Sequence, residues 1–178
     1  MAQRSNKGLI IVYTGNGKGK TTAALGLTLR ASGYDKKILI IQFIKSWFTG
    51  EKKALEKFPN VEFQQMGEGF VKILGDNKPI ADHRNSAKNA LKVAQEKITS
   101  SKYDIVVLDE IFVALHENLI LLEDVFTIIK EKPETLDIVL TGRNAPEEII
   151  EIADLVTEMK EIKHPYQKGV LAKPGIDF

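Results

Sequence analysis

Residues 9–22, LIIVYTGNGKGKTT, govern how the rest of the chain is read. Five apolar or aromatic residues lead through Thr14 into Gly15, Asn16, Gly17, Lys18, Gly19 and Lys20, followed by Thr21, Thr22 and the helix-forming stretch AALGLTLRA. A strand, a tight glycine-rich loop and a helix in that order form the setting in which a loop cradles phosphate. Glycines let backbone N–H groups converge on phosphate oxygens, the helix N-terminus adds a positive dipole end, and Lys20 adds a full charge. Gly15, Asn16, Gly17, Lys18, Gly19, Lys20, Thr21 and Thr22 are therefore the candidate nucleotide-binding residues, with the Thr21 hydroxyl directed to Mg²⁺. In the usual G-x-x-x-x-G-K-[ST] spacing the first glycine falls on Thr14, whereas here Gly15 comes one residue late. A variant loop is expected, in which phosphates lie differently from those of an ordinary ATPase.

Working outward, short β-branched runs continue to alternate with helical patterns. Strands are predicted at 9–14, 38–44, 61–65, 105–109, 138–141 and 155–159, and helices at 20–32, 51–58, 82–100, 122–131 and 146–153. Continuous apolar runs such as IVVL at 105–108 indicate strands covered on both faces, as in a parallel sheet between helices. Asp82 is the expected N-cap of the long helix at 82–100, and Pro146 sits where a first-turn proline is tolerated. The order predicts an α/β chain, a P-loop NTPase (RecA-like) three-layer fold with a mostly parallel central sheet, as a single domain over residues 1–178. Residues 66–81, with three glycines and a proline, form an irregular stretch of a length that is usually functional or disordered.

The chain has 178 residues, 25 basic against 24 acidic side chains, and no cysteine. A chain of this size buries roughly 70% of its unfolded surface, so it needs no disulfide or structural metal to hold a core. Absence of cysteine removes thiolate zinc sites, iron–sulfur clusters and thiol nucleophiles. His83, His116 and His164 are scattered without metal-ligand spacing, so no zinc site is expected. The near-neutral total hides an asymmetry, because residues 1–45 carry eight basic side chains against the single acid Asp35. That excess suits a phosphorylated small molecule, and no long basic stripe with interleaved aromatics follows it to suggest nucleic acid. The N-terminal MAQRSNKG has no signal-peptide h-region and no apolar run is long enough to span a bilayer. The expectation is a cytoplasmic protein with no membrane partner.

A second apolar strand ends in Asp109-Glu110, like the end of a Walker B strand. An acid at the carboxyl end of a parallel strand faces the crevice where ligands of open α/β sheets sit. Asp109 or Glu110 can then reach the Mg²⁺ held by Thr21, directly or through water. The candidate metal ligands are Thr21, Asp109 and Glu110, and the candidate catalytic residues are Lys20, Thr21 and Glu110. The segments QFIK at 42–45 and TGRN at 141–144 end strands at the same edge, where Arg143 offers a second cation. Arg30 lies too far along the first helix for the phosphates but within range of an adenosine. Trp47, Phe48 and Phe70 are either core residues or the lining of an apolar ligand surface.

The string TGNGKGKTTAALG, followed by QFIK, VEFQQMGEGF, VVLDE, LTGR and a C-terminal GIDF, resembles the P-loop type ATP:corrinoid adenosyltransferases, also called cob(I)alamin adenosyltransferases. The resemblance extends over residues 8–178. It implies that a reduced corrinoid, cob(I)alamin, attacks the 5′-carbon of ATP and that intact triphosphate leaves, with the phosphates lying in the loop in the reverse of the usual sense. It further implies that Gly15 to Thr22 hold the triphosphate, that Thr21 and Glu110 bind Mg²⁺, and that Arg30 matches an arginine on the nucleotide side. The family's loop aromatics, which press on the lower face of the corrin, match Phe70, while Lys72 stands where the second aromatic is expected. ATP and the corrinoid would be the substrates, a flavoprotein or other reductant would supply the cobalt in its low oxidation state, and the chain would form a homodimer. Only eight residues precede the first strand, where family members often carry a longer helical lead over the active site.

The residues alone leave a second class open. A P-loop kinase or ATPase performing phosphoryl transfer needs an acceptor base or a water-positioning residue and an added arginine, and Glu110 and Arg143 fill those roles. A non-catalytic carrier of nucleotide or corrinoid is the third reading.

Overall fold

The structure, a computed structural model, describes residues 7–71 and 75–178. The strands are β1 (Ile10–Thr14), β2 (Ile38–Gln42), β3 (Val61–Gln65), β4 (Ile105–Asp109), β5 (Asp137–Thr141) and β6 (Leu155–Glu158). They form one sheet in the order β3-β2-β4-β5-β1-β6, with every described pairing parallel. The helices are α1 (Lys20–Ser32), α2 (Gly50–Leu55), α3 (Ile80–Thr99), α4 (Ile111–His116), α5 (Leu122–Glu131) and α6 (Glu147–Ile152).

Strand side chains alternate between the two faces, so each apolar run supplies two cores. Val106 and Leu108 of β4 join Leu39 and Ile41 of β2 and Ile138 and Leu140 of β5 on one face. Ile105 and Val107 join Ile38, Ile40 and Val139 on the other. The first core is covered by α3 through Ala87, Ala90 and Ala94 and by α5 through Val125 and Ile128. The small alanines let α3 lie close to the sheet. The second core is covered by α1 through Ala24 and by α2 through Leu55. This makes three layers, as expected, with β2 and β4 buried at every residue. Strand β6 forms an edge and is exposed along its length.

Several boundaries differ from the sequence reading for local reasons. Helix α3 begins at Ile80, because Pro79 takes the N-cap position; Asp82 falls in the first turn, its N–H bonding to the Pro79 carbonyl at 3.0 Å. Pro146 likewise caps α6 from outside. Strand β2 stops at Gln42, after which Phe43 still donates its N–H to Asp109 O at 3.0 Å before the chain leaves the sheet. Helix α4 has no counterpart in the prediction: its six residues, IFVALH, follow β4 at once and are too few to display a helical period. Among the described residues no helix is long and apolar enough to cross a membrane.

Candidate active site

The phosphate loop joins β1 to α1 at the carboxyl edge of the sheet. Thr14 remains in the strand, paired with Glu158, and its Oγ1 accepts a hydrogen bond from Ala145 N at 3.1 Å. The turn is made one residue later by Gly15, whose φ of 95° is left-handed. A Cβ there would stand 2.5 Å from the Met159 carbonyl oxygen, so glycine is required on two counts. Gly17 donates its N–H to the same oxygen at 2.6 Å. The late first glycine noted in the sequence is thus the residue that lets the loop fold against the end of β6.

Lys20 opens α1 and turns back over the loop, donating to the carbonyls of Gly15 and Gly17, each at 2.7 Å. Burial, and after it the charge of Arg143, lowers the Lys20 pKa below the ordinary lysine value, with Glu110 and Asp109 opposing. An anion on the loop would relieve both causes. Arg143 itself is exposed. Lys18 is exposed and forms an ion pair with Asp177, so the C-terminal segment lies beside the loop.

Behind the loop, the ends of four strands meet. Asp109 is buried at the end of β4, and its Oδ1 accepts from Thr21 Oγ1 at 2.8 Å and from Thr141 Oγ1 at 2.7 Å. Its Oδ2 accepts from Gln42 Nε2 at 2.9 Å, with Lys45 Nζ at 3.9 Å. The single proton of Thr21 is therefore committed to Asp109, so toward any further partner its oxygen can act only as an acceptor or ligand. Strand β5 lies between β1 and β4, which is why Thr141 falls between the loop and the acid pair.

Glu110 adopts φ 63° and ψ 23°, a left-handed conformation at the N-cap of α4. That conformation costs on the order of 1–2 kcal/mol in a residue with a side chain, so it is held by its surroundings. Its N–H donates to Thr141 Oγ1 at 2.9 Å. Its buried Oε2 has no hydrogen-bond partner within the protein. Burial, and next the negative charge of Asp109, push its carboxyl pKa up to about 7, against the pull of Lys45, Lys20 and Arg143. A buried acceptor without a partner, next in sequence to the acid that holds the Thr21 hydroxyl, suits a hard cation. Among the described residues no three His, Cys, Asp or Glu side chains converge to hold a metal ion. An ion here would therefore complete its shell with phosphate oxygens and water, as Mg²⁺ commonly does.

The family model for the ATP:corrinoid adenosyltransferases BtuR/CobO/CobP matches residues 6–178. The chain belongs to this family. It is 44% identical to a corrinoid adenosyltransferase of Sinorhizobium sp. over 97% of this chain and 81% of that protein. It is 38% identical to a corrinoid adenosyltransferase of Escherichia coli K12 and 36% identical to the corrinoid adenosyltransferase CobA of Salmonella typhimurium LT2. Each of these two alignments extends over 98% of this chain and 88% of the relative.

In this adenosyltransferase-family chain, Gly15 to Thr22, Asp109 and Glu110 meet at one edge, as the sequence reading placed them. Arg30 does not join them: it is exposed in the last turn of α1, about 15 Å along the helix from Lys20. Phe70 is half-buried and packs against Trp47 with ring centroids 5.0 Å apart and the rings tilted by 40°. Trp47, expected as core or as ligand lining, is thus in ring contact with the residue that the resemblance matches to the corrin face. Lys72 lies outside the described residues. Gln42, Gln65, Thr141 and Lys45 were placed at the carboxyl edge or in a strand without a role, and the structure assembles all but Gln65 around Asp109. The available signal was a polar residue closing an apolar strand, which has no reason to be buried unless a partner awaits it.

Proposed function

We propose that this chain transfers the 5′-deoxyadenosyl group of ATP to the cobalt of a reduced corrinoid. The cobalt(I) electron pair forms the Co–C5′ bond, the C5′–O bond breaks, and triphosphate leaves with that bonding pair, so cobalt rises formally from +1 to +3. The supporting observation is the glycine-rich loop, over which Lys20 folds at the N-terminal end of α1, a cation and a dipole end suited to a departing polyphosphate. Family membership makes that polyphosphate a leaving group, since the corrinoid supplies the nucleophile and no side chain must do so.

Thr21 and Glu110 would hold Mg²⁺, with Asp109 orienting Thr21 from behind. Bound there, Mg²⁺ supplies charge neutralisation for the phosphates. Lys20 would exchange its two loop carbonyls for phosphate oxygens, and Arg143 would add positive potential from the end of β5. Phe70 and Trp47 would give the corrinoid an apolar surface. With this reading go a flavoprotein or other reductant that delivers cobalt(I), a homodimer and a cytoplasmic place of work, all supported by resemblance to the family.

One observation favours phosphoryl transfer instead: a carboxyl near neutral pKa beside a phosphate loop is suited to activating water or a hydroxyl. Incubation with ATP, Mg²⁺ and chemically reduced cobalamin separates the two. Adenosylcobalamin formed in equal amount with triphosphate is the expected result; ADP without a cobalt–carbon product would establish phosphoryl transfer.

A further inference from the structure

A line of side-chain amides connects the aromatic pair to the acid that orients Thr21. In the register of the sheet Gln65 stands opposite Gln42, and Gln42 stands opposite Asp109. Gln42 is fully buried and donates Nε2 to Asp109 Oδ2 at 2.9 Å. Gln65 donates Nε2 to Gln42 Oε1 at 3.2 Å and also to the carbonyl of Trp47 at 2.9 Å. The polarity of this chain is imposed from one end. A carboxylate only accepts, so Gln42 must present its amide nitrogen to Asp109 and its oxygen to Gln65. Gln65 must then present its own nitrogen to Gln42, and the second proton of that nitrogen is left for Trp47.

The segment carrying Phe70 is fastened to the same strand ends. Met66 N donates to Gln42 O at 3.0 Å and Gly69 N to Ile44 O at 2.8 Å. Trp47 and Phe70 are in contact with each other, and Asp109 is in contact with Thr21. A change at Thr21 on cation binding therefore has a continuous path of directed hydrogen bonds to the backbone of Trp47.

We propose that Gln65 and Gln42 are positioning residues that couple occupancy of the phosphate loop to the placement of the Trp47–Phe70 pair. The proposal rests on the reading that ATP and Mg²⁺ occupy the loop. Coupling of this kind is reciprocal, so an ordered aromatic pair would also favour the Thr21 geometry that receives nucleotide.

Trp47 is the single tryptophan of the chain, so its emission reports on this residue alone. The experiment titrates the full chain with ATP and Mg²⁺, following Trp47 fluorescence and, in parallel, calorimetric binding. In the unaltered protein emission should change with the calorimetric midpoint. Gln65→Leu suits a half-buried edge-strand position and should retain the thermal unfolding midpoint. It should bind ATP within about threefold of the parent yet lose most of the emission change, and lose about tenfold in kcat with KM for ATP little altered. Gln65→Glu, which presents only acceptors to Gln42 and Trp47, should behave like the leucine variant although it is isosteric. Calorimetric binding with a silent Trp47, or an undiminished emission change in Gln65→Leu, would overturn the coupling alone. No calorimetric binding to the unaltered chain would overturn the ATP reading and the coupling with it.

Discussion

At the edge of the sheet, burial shifts the pKa values of two ionisable residues in opposite senses, raising that of Glu110 and lowering that of Lys20. Glu110 has its carboxyl raised from 4.5 to about 7, first by burial and then by Asp109. A folded pKa above the unfolded one means that the folded state binds the proton more tightly. The metal-free protein should therefore lose stability as pH rises from about 4.5 through about 7, with the loss complete above that window. Glu110→Gln removes this dependence and should make the metal-free protein more stable at pH 8 by roughly 3 kcal/mol, with little difference at pH 4.5. Urea unfolding at the two pH values checks it, and parallel curves for both proteins would show that Glu110 is not strained by its charge. Lys20, lowered by burial and Arg143, is the counterpart: an anion on the loop restores its preference for the charged form. Lys20→Ala should cut kcat/KM for ATP by on the order of 10²–10³, measured as adenosylcobalamin formed. Near-parental turnover would place the phosphates elsewhere.

At the scale of elements, the loop is shaped as much by β6 as by its own glycines. Gly17 has an ordinary negative φ, so its glycine character serves space and not backbone freedom. A Cβ at this position would stand 2.6 Å from Met159 O and 2.8 Å from Lys160 C, both backbone atoms that a rotamer change cannot move. Gly17→Ala should therefore push the loop off β6, break the Gly17 N–H bond to Met159, and destabilise the protein by roughly 1–3 kcal/mol. ATP affinity measured by calorimetry should fall in step with the unfolding midpoint, whereas unchanged affinity would mean that the loop does not need β6. The strands were legible because runs such as IVVL at 105–108 carry both faces of the sheet in four residues. Helix α4 was not, since its start depends on the left-handed Glu110 and its six residues fill less than two turns.

For the whole molecule, the site exists only once β1, β2, β4 and β5 stand side by side, so ligand binding and folding are linked. ATP with Mg²⁺ at about one hundred times its Kd should stabilise the chain by about 2.7 kcal/mol, raising Tm by roughly 5–10 °C. A thermal melt with and without ATP checks this, and Lys20→Ala should show a smaller shift. The sequence by itself determined the alternation of strands and helices, the phosphate loop and the acid pair at 109–110, and it carried the motifs that mark the family. Each is local: periodicity, glycine placement and a charged end to an apolar run are written in consecutive residues. Only the tertiary structure decided that Gln42, Thr21 and Thr141 converge on Asp109, that Glu110 turns left-handed with an unpartnered oxygen, and that Trp47 packs against Phe70. Those contacts join residues 23 to 88 positions apart, and they follow from strand order, which is set by the pairing of whole strands and leaves no mark on any single one.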